Sequence, residues 1–236
     1  MSRHPVIITA KRSLALSKTY ILASMFIAAN ALLVSPVGDT LTKDLPTSSG
    51  IDIHESLALL SIPLLAISTL TLTVPVILLY VYDKNNGVLE RFLSLGMNQL
   101  DIYRRYLKAS LLLASAFLSL LVGAYVSVGL FLGRNGTTLF EAAGLLVVLS
   151  ISVVTLLNVA MMAFSSLQKQ RVGANQPVGL AIGGLVVLPD YVIPFVFSPS
   201  QIAIIVELVI ALLIAGVAAA LLLLSSRLIS REKLLP

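Results

Sequence analysis

The chain has no cysteine, no tryptophan and only two histidines, and charged residues fill just 11% of its 236 positions. Each shortage removes a class of function. Without cysteine there is no disulfide, no thiol nucleophile and no cysteine-based metal site. His4 and His54 both fall outside the long apolar runs, so a serine–histidine pair at membrane depth lacks its base. The string HESLA at 54–58 begins like a zinc-protease helix, but Ala58 stands where the second histidine would be. No aspartate pair lies within an apolar run to form an acid-protease dyad, and no GxxxxGK[ST] phosphate loop occurs. With aromatic residues at 6%, no sugar-stacking platform is visible.

The scarcity of charge also settles the broad class. A soluble domain carries about 25% charged residues; this chain, 58% hydrophobic with a mean hydropathy of +1.00, cannot clothe a water-facing surface. Apolar runs at 109–132, 140–164 and 202–224 each meet the about 20 residues needed to cross the hydrocarbon. Weaker or flanked runs at 20–37, 57–82 and 174–189 bring the expected count to six. Backbone polar groups in lipid must be paired within the segment, and the runs are too long for barrel strands, so the expected fold class is all-α. The expectation is one polytopic membrane domain, residues 1–236, in the plasma membrane. The basic N-terminal section followed by a long apolar stretch does not read as a cleaved signal.

Basic residues are distributed unevenly. The N-terminal segment, the stretch 83–108, the loop after the fourth run and the tail together hold 14 of the 16 bases; only Lys43 and Arg134 fall in the alternate loops. The base-rich side is expected to be cytosolic, with both termini on it, which requires an even number of spans. A net charge of +5 arranged in this way reflects loop asymmetry and gives no reason to expect nucleic acid as a partner.

The stretch 83–108 is the anomaly: a charged amphipathic segment between two apolar runs. Placed on a helix, Val88, Leu89, Phe92, Leu93 and Leu95 share one arc, with Glu90, Arg91 and Ser94 opposite. Asn86-Gly87 breaks the chain before it and Gly96 ends it. Asn98, three residues ahead of Asp101, reads as the cap of a second helix running through Tyr103 and Arg104 into the third span. Such a segment either lies on lipid headgroups or presents its apolar face to a partner protein.

The run NNGVLERFLSLGMNQLDIYRRYLKAS resembles the loop between the second and third spans of type-2 permease subunits of ATP-binding cassette (ABC) exporters. Lys84, Gly87, Val88, Leu89, Glu90, Leu93 and Leu95 follow that family's order, while Gly96-Met97 replaces the proline that often follows the Leu-rich turn. The basic segment ITAKRSLALSKTYILAS matches the interfacial helix with which family members often begin. LPDYVIPFVFSPS fits the broken, re-entrant segment between their fifth and sixth spans. The resemblance implies a homodimeric permease coupled to two copies of an ABC ATP-binding subunit, with ATP and Mg held by that partner and no cofactor, metal or catalytic residue on this chain. The docking residues it implies are Gly87, Val88, Leu89, Glu90, Arg91, Phe92, Leu93 and Leu95.

Physics bears separately on the fifth span. Residues 178–188 supply about 16 Å of helix before Pro189-Asp190, roughly half the hydrocarbon thickness. Irregular chain near the outer face must then be covered by protein or line a wet path, which makes Glu207, Asp190 and Tyr191 candidates for a substrate route. Glu207 is the one carboxylate well inside a span, and it is equally compatible with a buried hydrogen-bonded acid. Gly179 with Gly183, and Ala211 with Ala215, are small pairs that permit close helix approach or dimer packing. The alternatives are an ion-coupled secondary transporter, which would need inverted repeats not found in the sequence, and an intramembrane enzyme, for which the side chains are missing.

Overall fold

The computed structural model describes residues 5–16, 18–42, 53–133 and 136–167, together with helical positions 205, 208–210, 212–217, 219–220 and 223. Every element among them is an α-helix: α1 (Pro5–Leu16), α2 (Lys18–Thr42), α3 (Ile53–Asn85), α4 (Val88–Ser94), α5 (Gln99–Phe131) and α6 (Gly136–Leu167). The all-α expectation holds. Among the described residues three helices are long and apolar enough to cross a membrane, namely Ser61–Asn85, Gln99–Phe131 and Leu139–Ala160; α1 and α2, meeting at 84°, make a fourth if the bent pair counts as one span. The expected fifth span and the broken segment after it lie outside the described residues, while apolar helix recurs at Leu208–Val217 within the expected sixth.

Packing follows from where the small residues fall. The buried face of α2 is Ser24, Ala28 and Ala31, whereas Leu22, Met25, Phe26 and Leu33 point outward and are exposed. Small side chains inside and large apolar ones outside invert the soluble pattern. Lipid tails solvate leucine as well as a protein core does, so helix association in a bilayer relies on close backbone approach. The closeness of α2 to α3 appears as a 2.8 Å bond from Ser68 Oγ to the Ser24 carbonyl.

Helix α3 is the hub. It packs on α2, α5 and α6, and its span is 72% buried, against 67% for that of α6 and 22% for that of α5. It runs through Pro63 and Pro75 without ending; nearby Thr69, Thr71 and Thr73 hydroxyls donate to carbonyls within the helix, an accommodation common in membrane helices. The main core joins Ala28 and Ala31 of α2, Leu65 and Leu70 of α3, Leu118 and Leu121 of α5, and Leu146 and Leu149 of α6. Ile214, from the helical residues of the expected sixth span, joins it too. Helices α5 and α6 approach so closely at Gly129 that a Cβ there would overlap the Leu139 side chain.

Candidate functional site at the charged end of the bundle

A second, smaller core closes the end of the bundle where α3 stops and α5 starts. It gathers Ala10 from α1, Val76, Leu79, Tyr80 and Val81 from α3, Leu89 and Leu93 from α4, Ile102, Tyr103 and Tyr106 from α5, and Val159 from α6. The short helix α4 owes its position to two glycines. Gly87, at φ +70°, ends α3 and caps α4; its N–H donates to the Lys84 carbonyl at 3.2 Å, and its own carbonyl accepts from Arg91 N–H at 3.2 Å. One residue thus closes one helix and opens the next.

At the other end of α4, Gly96 at φ +80° closes the helix in a Schellman motif. Gly96 N–H donates to the Leu93 carbonyl and Met97 N–H to the Phe92 carbonyl, at 3.0 and 3.1 Å. The Asn98 side chain then accepts from Leu100 N–H at 3.2 Å and starts α5.

A charged cluster ties α1, α3 and α5 together at this end. The Asp83 side chain is fully buried, and Arg12 of α1 reaches it with both fork nitrogens, Nη2 to Oδ1 at 2.9 Å and Nη1 to Oδ2 at 3.3 Å. Tyr106 of α5 donates its hydroxyl to Oδ2 at 2.6 Å, and its ring meets Tyr80 edge-on at 5.2 Å. A buried carboxylate is tolerable only with such partners, and the planar guanidinium fork matches its two oxygens in a way a lysine ammonium would not.

Arg105 makes the next tie. Its Nε donates to Thr9 Oγ1 of α1 at 2.9 Å, while Thr9 in turn donates to the Pro5 carbonyl at 3.1 Å. The same guanidinium sits 5.2 Å above the Phe92 ring of α4. Tyr103 completes the set by donating to the Val159 carbonyl of α6 at 3.4 Å. Helices α1, α3, α4, α5 and α6 are therefore fastened together at this end. Among the described residues no group of three or more His, Asp or Glu side chains gathers as a metal site would require.

The residues singled out from the sequence divide clearly. Leu89 and Leu93 are buried against their own chain, and Val88, Phe92 and Gly87 are half-buried. Glu90 and Arg91 are exposed, together with Ser94. Leu95 does not share the apolar face: it is the residue after the last turn of α4 and stands 78% exposed, where the helical wheel no longer applies. Ala215 is half-buried, whereas Glu207, Asp190, Tyr191, Gly179, Gly183 and Ala211 lie outside the described residues. The Arg12–Asp83–Tyr106 cluster was not foreseeable from spacing, since Arg12 and Asp83 are 71 positions apart. The one available signal was an aspartate at the very end of an apolar run, facing a basic N-terminal segment.

This end, then, is the anchored, base-rich terminus of a helical membrane protein. No family model, no curated protein and no solved structure matches the chain.

Proposed function

We propose that this chain is the membrane-spanning subunit of an ATP-driven transporter of the type-2 ABC kind, an exporter that works as a homodimer beside two ATP-binding subunits. The observation that carries the reading is α4. A seven-residue helix stands between two long apolar helices at the base-rich end, fixed on its inner side by Leu89 and Leu93 and bare on its outer side at Glu90, Arg91, Ser94 and Leu95. A partner pressing on that outer side would meet no slack, because α4 is bound to α1, α3 and α5 through the second core and Arg105.

In this reading residues 83–108 face the cytosol, both termini lie on that side of the plasma membrane, and six spans form a single permease domain over residues 1–236. ATP and Mg belong to the partner. Leu89 and Leu93 hold the handle in place, and the exposed residues are what the partner grips. Glu207, Asp190 and Tyr191 belong to the substrate route, and Gly179, Gly183, Ala211 and Ala215 to helix packing within or between subunits.

The test is the double variant Arg91→Glu/Leu95→Asp, whose positions are exposed and leave the inner core untouched. It is expected to fold normally, judged by gel filtration, yet to lose the co-purifying ATPase and its stimulation. Full ATPase binding and stimulation in the variant would overturn the docking role. Transport that persists with no ATPase present would favour ion coupling instead.

A further inference from the structure

We propose that the charged end carries a binding surface for anionic lipid headgroups, formed where α1 crosses α5 and centred on Lys11, Arg104 and Lys108. Helix α1 turns its Thr9, Ala10 and Ser13 face onto the bundle and leaves Ile7, Ile8 and Lys11 exposed. Two isoleucines on either side of a lysine make a poor surface for water and a good one for the headgroup boundary, where the apolar side chains insert and the ammonium stays with the phosphates. The 84° bend between α1 and α2 sets α1 nearly perpendicular to a helix long enough to enter the bilayer, so this exposed face runs along the interface.

Helix α5 continues the surface. Arg104 and Lys108 are exposed and share a face with Leu112, one turn further on, which is exposed and apolar. Bases at the foot of a lipid-facing apolar stripe fall at headgroup depth. Arg105, between them, is already committed to Thr9 and Phe92 and so fixes α1 beside this face. Lys11, Lys18, Arg104 and Lys108 are all exposed, with Asp101 the single acid on that face of α5. A phosphate-bearing anionic lipid fits both the sign of the charge and the apolar flank. An acidic protein surface would match the charge alone, leaving the isoleucines unexplained. The proposal does not depend on the transporter reading, which rests on the α4 tip.

The experiment places the full chain in nanodiscs of phosphatidylcholine with increasing phosphatidylglycerol and counts lipid retained on the protein by native mass spectrometry. Phosphatidylglycerol should be held preferentially, with retention weakened by added salt. Each base replaced by glutamine should reduce that preference about fivefold, and Lys11→Gln/Arg104→Gln/Lys108→Gln about a hundredfold. Asp101→Asn should shift it the opposite way, an outcome that general damage to the fold would not produce. If the triple variant fails to fold, the lipid and salt arms on the wild-type chain decide by themselves. Equal retention of the two lipids, or indifference to salt, overturns the proposal. So does complete competition by glycerol 3-phosphate, which would mark a free-phosphate site. Loss of an acidic co-purifying protein from the triple variant with lipid retention intact would assign the surface to that protein and likewise overturn it.

Discussion

The two ends of α5 are held by different physics. Near its start, Tyr106 and Arg105 enter a web of directional contacts: a half-buried ion pair, a hydroxyl on a carboxylate, a guanidinium over a ring. Near its far end, Gly129 lets the Leu139 side chain of α6 come close. Where water competes, oriented polar groups define which helix sits where; at lipid depth, where apolar surface gains nothing by leaving lipid for protein, shape does it. A bundle built this way is tied by directional bonds at one end and by close packing further along.

The comparison can be broken most severely at the charged end. Arg12→Ala strands the fully buried Asp83 carboxylate with only Tyr106 for company, and should cost about 3 kcal/mol, toward the low end for such pairs because the Arg12 side chain is itself 43% exposed. Thermal unfolding in detergent measures it, and adding Asp83→Leu should recover part of the loss by removing the stranded charge, less the cost of leaving the Tyr106 hydroxyl without its acceptor. A smaller effect is expected at the far end. Gly129→Ala drives a methyl into Leu139 and should cost about 1–3 kcal/mol, whereas Gly123→Ala, with open space around it, should be neutral or mildly stabilising by the same assay. Equal behaviour of the two glycine variants would remove the claim that close approach fixes α5 on α6. The smallest effect belongs to the turn after α4: Gly96→Ala meets no neighbour but must hold φ near +80°, at about 1 kcal/mol. Faster amide exchange confined to α4 is its expected signature.

Much of this was legible in the sequence because it is local. Asn86-Gly87, Gly96 and Asn98 mark helix boundaries through backbone chemistry that depends on few neighbours, and α4 and the start of α5 fall where those residues put them. Apolar runs located α2, α3, α5 and α6, yet the helices extend beyond them: α5 begins ten residues before the run that opens at 109, because a helix does not stop where lipid does. What could not be read was partnership. The amphipathic pattern of α4 gave an apolar side without saying what covers it, and the cover is the chain's own Tyr103, Tyr106 and Ala10. The outward position of Leu95 depends on where the last turn ends, a boundary that periodicity alone does not fix.

Gly87 leaves no spare chain between the hub helix and the handle. Lengthening the joint by a single position would swing the seven-residue piece through about 100°, carrying Leu89 and Leu93 out to water and Glu90 inward. For the fold, then, the number of residues there matters more than the identity of the outward side chains: those can be exchanged without moving the helix, while an inserted or deleted residue turns it over.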